Sequence, residues 1–267
     1  MYADLHIHTN ASDGTYNVDE LLSEVKKKNI TLFAITDHDS ISNALKMLNN
    51  LENYNGRFIM GCESSCSYEG KIYHITSYDF DYNNEEFLKL IDKNSKIWIQ
   101  YNDDIVEYLA AGNSNISINK YRRYQNNPSR GGSKAINFLI DEGIINSFED
   151  LIKLAKNFNC SMEFNLPELV IDIIKKAGGT PFLAHPNAYN KRKRLPYNDL
   201  DKWLEFGIEG IECFSPYCTD EDTKFYIDYC NANNILISGG SDCHGDFLPE
   251  RKLGKPVIIV DKLRLTF

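Results

Sequence analysis

Short apolar runs of strand type recur along the chain, each ending in a polar cluster and each followed by a stretch whose apolar positions return at helical spacing. The first, Met1 to Gly14, runs into His6 and His8 and then a Ser-Asp-Gly turn at Asp13. Asn17 to Glu20 has the spacing of a capping box and predicts a helix through Leu21, Leu22 and Val25 to Lys28. Ile30 to Ile35 is the next strand and ends at Thr36-Asp37-His38-Asp39. Asp39 or Ser40 caps a helix over about residues 41–53, and Arg57 to Met60 forms a strand ending at Gly61-Cys62-Glu63. A further β-rich stretch, Ile72 to Tyr78, carries His74.

Between about Asn84 and Asn165 the alternation gives way to helical, more polar sequence, with clear helices from Lys93 to Gly112 and from Ser147 onward. It then resumes: a helix over 166–177, a strand from Pro181 to Ala184 ending at His185-Pro186, and a helix near 197–206. Next come a strand from Ile208 to Cys213, a helix over 219–233, and a strand from Ile235 to Ser238 ending at Gly239-Gly240-Ser241-Asp242-Cys243-His244. Repeated βα units with short connections predict an α/β fold whose sheet is mainly parallel and, at this length, closed or distorted into a barrel. The expected division is a barrel from residues 1–90 and 161–267, with residues 91–160 as a helical insertion.

Composition narrows the function classes. With 42% hydrophobic residues in 267, a sizeable core is available. The net charge of −9 argues against binding long duplex nucleic acid, which needs a basic face. A small anionic substrate stays open, because bound divalent ions reverse the field locally. No signal-peptide core or membrane-spanning run is evident. The seven cysteines are odd in number and lack metal-finger spacing, so reduced thiols in a cytoplasm are expected.

The candidate chemistry lies in the histidines. Side chains two apart on a strand face the same way, so His6 and His8 can grip one ion together. Five of the six histidines (6, 8, 38, 185 and 244) fall at predicted strand ends, where barrel enzymes build their sites, and His74 lies just after Glu63. With Asp13, Glu63 and Asp242 they make nine nitrogen and oxygen donors, suited to Mn, Zn or Fe.

These residues resemble the PHP (polymerase and histidinol phosphatase) metallophosphoesterases. The matching motifs are His6-Ile-His8, Thr36-Asp-His38, Gly61-Cys-Glu63, Ala184-His-Pro186 and Ser241-Asp-Cys-His244. The resemblance implies a distorted (β/α)7 barrel holding two to three divalent ions. By motif position it puts His6, His8, Glu63 and Asp242 on the first ion, Glu63, His74 and His185 on the second, and Asp13, His38 and His244 on the third. Three ions would bring about +3 net against the three carboxylates, enough to attract a phosphate dianion. A water bridging two ions would lose its proton near neutral pH and attack phosphorus.

Gly207-Ile-Glu-Gly-Ile-Glu212 followed by Ser215-Pro looks most like the branch acting on nucleotides, including nucleoside 3′,5′-bisphosphates and short RNA ends. Arg130 and Lys134, in Ser129-Arg-Gly-Gly-Ser-Lys-Ala135, are the expected substrate-phosphate contacts, the other reading being a solvated loop. Asp37 is expected to orient a ligand or protonate the leaving group, with His185 and Asp242 as further catalytic residues. The basic run Lys191 to Arg194 could guide an anionic substrate, or simply be a solvated face. The rivals are a histidinol-phosphate phosphatase and a non-catalytic, metal-stabilised partner-binding module.

Overall fold

A computed structural model describes residues 1–160 and 162–267. Ser161, the expected start of the second barrel segment, lies outside the described residues. The sheet runs in the order β7-β6-β5-β4-β3-β2-β1-β8, from β1 (Tyr2–Asp4), β2 (Ile30–Ile35), β3 (Arg57–Tyr68), β4 (Lys71–Tyr78), β5 (Thr180–Leu183), β6 (Gly210–Phe214), β7 (Leu236–Gly239) and β8 (Ile258–Ile259). The gap between β1 and β7 is filled from the C-terminal segment. β8 pairs with β1, and Arg264 bridges Ile237. Nearer the site the chain closes directly, with Leu5 N–H donating to the Gly239 carbonyl at 3.0 Å and a parallel bridge from Ile7 to Cys243. The result is a nearly closed, distorted barrel.

Its strands are not uniformly parallel. β1, β2 and β3 are parallel, as are β5, β6 and β7, but β4 is antiparallel to both its neighbours. The reason is local: Glu69 and Gly70, with φ of 49° and 73°, form a two-residue turn, so β3 folds straight back as a hairpin. β3 consequently runs well past Glu63, and that residue sits mid-strand rather than at a strand end.

α1 (Val18–Lys27) begins at Asn17 with the expected capping box. α2 (Ser42–Leu48) does not use the expected caps; its N-cap is Ile41, without a side-chain bond, because Asp39 is engaged elsewhere. Along β2 the side chains alternate between two cores. Leu32 and Ala34 join Leu5, Ile59, Tyr78 and Phe182 inside the barrel, whereas Phe33 and Ile35 pack outward against the helices. The apolar plug fills one end of the barrel and leaves the other to polar groups.

α3 (Glu85–Gly112) starts earlier than expected and spans about 42 Å. Its first half puts Phe87, Leu90 and Ile91 into the outer barrel core, and its second half puts Ile105, Val106 and Leu109 into a separate core. That core also takes Tyr121 of α4 (Ile118–Arg123), Phe138 and Leu139 of α5 (Lys134–Asp141) and Leu151 of α6 (Phe148–Leu154). α7 (Pro167–Lys176), α8 (Tyr197–Phe206) and α9 (Asp220–Ala232) restore the βα alternation.

Candidate metal centre

The nine expected donors converge at the polar end of the barrel. Glu63 is their hub. Its Oε2 lies 3.3 Å from His6 Nε2, 3.2 Å from His8 Nε2 and 3.0 Å from His38 Nδ1, and its Oε1 lies 3.3 Å from His74 Nδ1 and 2.7 Å from His185 Nε2. Asp242 Oδ1 faces His8 Nε2 at 3.2 Å and His6 Nε2 at 3.6 Å. Asp13 approaches His244 Nε2 at 3.3 Å, His8 Nδ1 at 3.5 Å and His38 Nε2 at 4.0 Å.

Three overlapping groups of donors are compact enough to hold an ion: His6, His8 and Glu63; His38, Glu63 and His74; and His8, Asp13, His38 and His244. These groupings share His8 and His38 more widely than the motif-based sets do. Several buried atoms here lack any hydrogen bond among the described residues: His8 Nδ1, His38 Nδ1, both nitrogens of His74, His185 Nδ1 and Glu63 Oε2. His6 Nε2 and His8 Nε2 stand 3.1 Å apart. Lone pairs turned toward one another in a buried space are costly unless a cation lies between them, so the donor set fits bound divalent metal.

The surroundings orient these donors. His6 Nδ1 sits 2.6 Å from Glu212 Oε2, so its N–H donates there and Nε2 is left to face the centre. His244 Nδ1 bonds the Asp242 carbonyl at 2.8 Å, which turns Nε2 toward Asp13. Asp242 Oδ2 accepts from the Tyr217 hydroxyl and from Arg251 Nη1, each at 2.7 Å, so Oδ1 is the free oxygen. The backbones of His185 (φ 27°) and Asp242 (φ 49°) lie in the left-handed region, strain of a kind that recurs at functional sites.

Asp37 acts on the cluster indirectly, through the turn that carries the donor Asp13. It contacts no ligand of the centre by hydrogen bond. Its Oδ1 accepts from Thr9 N–H at 2.7 Å and from the Ser12 hydroxyl at 2.6 Å, and its Oδ2 accepts from the Thr9 hydroxyl at 2.6 Å. It therefore fixes the turn that carries Asp13. Asp39 plays a similar part toward α3, accepting from Ser65 N–H, the Ser65 hydroxyl and Asn94.

Arg130 uses Nη1 on Asp141 (2.8 Å) and Tyr124 (3.1 Å), while the Lys134 ammonium lies 4.5 Å over the Tyr121 ring. The loop between them does approach the centre, since Gly132 N–H donates to the Asp13 carbonyl at 2.7 Å. A Cβ at Gly131 would fall 2.6 Å from Phe247, so this approach requires glycine. Of the basic run, Arg194 pairs with Asp222, and Arg192 reaches within 5.8 Å of the Tyr217 ring centre. Burial pushes the Cys62 and Cys243 thiols up, the latter to about 11, which suits packing rather than nucleophilic attack.

Sequence reasoning missed Glu212, Tyr217 as a partner of Asp242, and Arg251. Glu212 had a signal: it is a charged residue inside the apolar strand Gly210–Phe214. Arg251 had none, standing in the polar run Pro249-Glu-Arg-Lys252.

Burial resists charge on His8, but hydrogen bonds to Asp242 and Glu63 outweigh it and carry its pKa to about 10 in the metal-free protein. His6 is raised against the same penalty by Glu63, Glu212 and Asp242. For His38 burial prevails and lowers the pKa to about 3. Burial also opposes charge on Glu63 and Asp242, yet the histidines hold both well below the usual carboxylate range. A proton held more tightly in the folded state stabilises the fold fully below the unfolded pKa of about 6.5, and that contribution is lost as pH rises through the folded value. His38 and these carboxylates do not titrate in that window. The chelated protein is thus expected to melt at progressively lower temperature from pH 6.5 to 10, and the metal-saturated protein, whose ligands are already deprotonated, is not. Melting curves in chelator and in Mn at pH 6.5, 8 and 9.5 check this; a chelated protein with a flat profile would remove the protonated His8 from the account.

Among the described residues no helix is long and apolar enough to cross a membrane. The PHP domain model matches residues 4–162, more than half of the chain. A 5′-3′ exoribonuclease of Haemophilus influenzae is 25% identical over 90% of this chain and 89% of its own length. A 3′,5′-nucleoside bisphosphate phosphatase of Chromobacterium violaceum is 22% identical over 90% and 86%. Among solved structures, a candidate metal-dependent phosphoesterase from Bifidobacterium adolescentis superposes with a TM-score of 0.81 at 22% identity, covering 97% of this chain and 93% of that one.

Proposed function

This chain belongs to the PHP-domain family and hydrolyses phosphoric esters, and we propose that its substrate is a nucleotide or a related small phosphomonoester, cleaved at a trinuclear centre. The observation that carries this reading is Glu63, buried and faced by five histidines, four of which carry buried ring nitrogens with no hydrogen-bond partner among the described residues. His6, His8, Glu63 and Asp242 would hold one ion, Glu63, His74 and His185 a second, and Asp13, His38 and His244 a third. Bound there, divalent ions supply an acidified water as nucleophile and take up phosphoryl charge.

The chain's own residues do the positioning. Glu212 fixes the His6 ring, Asp37 the Asp13 turn, and Tyr217 the Asp242 carboxylate. His185 and Asp242, buried among the other donors, are assigned to the reacting phosphoryl group. Residues 91–160 would act as a cap, because their glycine loop rests on the Asp13 turn. Arg130 would meet the substrate from the cap, since it engages Asp141 and Tyr124 through Nη1 alone. Relatives named for RNA and nucleoside bisphosphates support the nucleotide class, with short 5′-phosphorylated RNA ends as a further substrate. Buried thiols at Cys62, Cys66 and Cys213 agree with a reducing cytoplasm.

The test is phosphate release by Mn-loaded protein from adenosine 3′,5′-bisphosphate, AMP, a short 5′-phosphorylated RNA and histidinol phosphate, side by side. Preference for a nucleotide or RNA end is expected. A preference for histidinol phosphate overturns the substrate class, and silence on all four with metal bound overturns the reading itself.

A further inference from the structure

The cation that stands at the cluster comes from outside the insertion. Arg251 Nη1 donates to Asp242 Oδ2 at 2.7 Å, and its Cζ lies 5.2 Å from the centre of the Tyr217 ring. Among the described residues no other arginine or lysine pairs with Asp13, Glu63 or Asp242. The floor of the site is closed: His6, His8 and Glu63 are fully buried. The Arg251 side chain is 23% exposed, comparable to His38 at 21% and Asp13 at 31%, so it belongs to the open rim from which a substrate enters.

We propose that Arg251 binds the phosphoryl group of the substrate while it holds Asp242. A guanidinium carries five N–H donors in a planar fork, and only the Nη1 contact with Asp242 is made among the described residues. Stacking on Tyr217 and the bond to Asp242 together fix the plane of that fork. The two ends of the Asp242 carboxylate then have different neighbours. Oδ1 faces the histidines of the centre, and Oδ2 faces Arg251. An anion drawn to the centre therefore arrives beside a permanent positive charge with donors to spare, the arrangement that favours forked recognition of phosphate. Arg192, near the same ring, extends this charge toward solvent.

The inference rests on the phosphoesterase reading, but its test does not depend on turnover. Binding of inorganic phosphate to Mn-loaded protein would be measured by calorimetry for wild type, Arg251→Gln, Arg251→Lys and Tyr217→Phe, with bound metal quantified in each sample. Arg251→Gln is expected to keep its metal and bind phosphate about 10- to 100-fold more weakly, the loss typical of a charge-assisted hydrogen bond. Arg251→Lys, which retains the charge against Asp242 and so protects the fold, should fall between the two because the fork is lost. Tyr217→Phe should shift metal affinity more than phosphate affinity. Phosphate affinity within about twofold of wild type, per metal-loaded molecule, in the folded Arg251 variants would show that the guanidinium serves only to position Asp242. If wild type binds phosphate through Arg251 yet cleaves none of the four esters, the substrate reading fails and the anion site stands.

Discussion

Glu63→Gln is expected to abolish turnover, by at least about a thousandfold, and to loosen bound metal. The substitution is isosteric, so packing is preserved and the effect is electronic. Glutamine removes the negative charge on which His6, His8, His38, His74 and His185 converge, and its amide end brings N–H donors where the histidines offer lone pairs. Metal catalysis of phosphoryl transfer contributes several kcal/mol, and each 1.36 kcal/mol is a factor of about ten in rate. Because both oxygens of Glu63 face different histidines, the variant should lose affinity at two ions together. Metal content after dialysis and phosphate release at saturating Mn are the measurements. Activity within about tenfold of wild type at full metal occupancy would mean that Glu63 is not shared between ions.

Gly240→Ala is expected to cost about 3 kcal/mol of stability and about a hundredfold in activity, although residue 240 donates no ligand atom. A Cβ there would lie 2.2 Å from the His6 Cβ, 2.3 Å from its backbone nitrogen and 2.7 Å from its Cα. None of these is the movable tip of a side chain, so one strand has to back away. Both are tethered: Leu5 N–H bonds the Gly239 carbonyl, and Ser241 N–H bonds Asp4 Oδ1 at 2.8 Å. Asp4 is itself fully buried and also holds Gly254 N–H, so the clamp spans three segments. Any retreat moves His6 off the position that Glu212 fixes, and displacement of about 1 Å at such a site is enough for the loss in rate. Gly112→Ala is the control, because a Cβ there meets nothing within 4 Å. Thermal melts and kcat/KM of the two variants check the contrast; a Gly240→Ala protein melting within about 2 °C of wild type would show that the barrel closure is looser than its contacts require.

The candidate donors were legible in the sequence because the capacity to bind metal resides in residue chemistry. Histidines at 6, 8, 38, 74, 185 and 244 with Asp13, Glu63 and Asp242 declare their preference whatever lies around them, and βα periodicity placed most of them near one end of a barrel. The α1 cap was legible for a similar reason, since Asn17 and Glu20 need only each other. The direction of β4 was written just as locally, in Glu69-Gly70, yet a parallel reading of the alternation passed over it.

Tertiary structure alone decided the rest, because those features rest on contacts between residues far apart in the chain. His6 meets Glu212 across 206 positions, and Asp4 meets Ser241 across 237. Asp37 could be read from the sequence as orienting a ligand or as donating a proton, and only the fold shows that Thr9 and Ser12 occupy its oxygens. Arg251 and Gly240 carry no local mark of their roles. A guanidinium reads as solvated, and a glycine as a turn, until closure of the barrel sets one against Asp242 and the other against His6. Residue identity determined which atoms could bind metal, whereas strand closure determined which oxygen, which ring nitrogen and which charge face the centre.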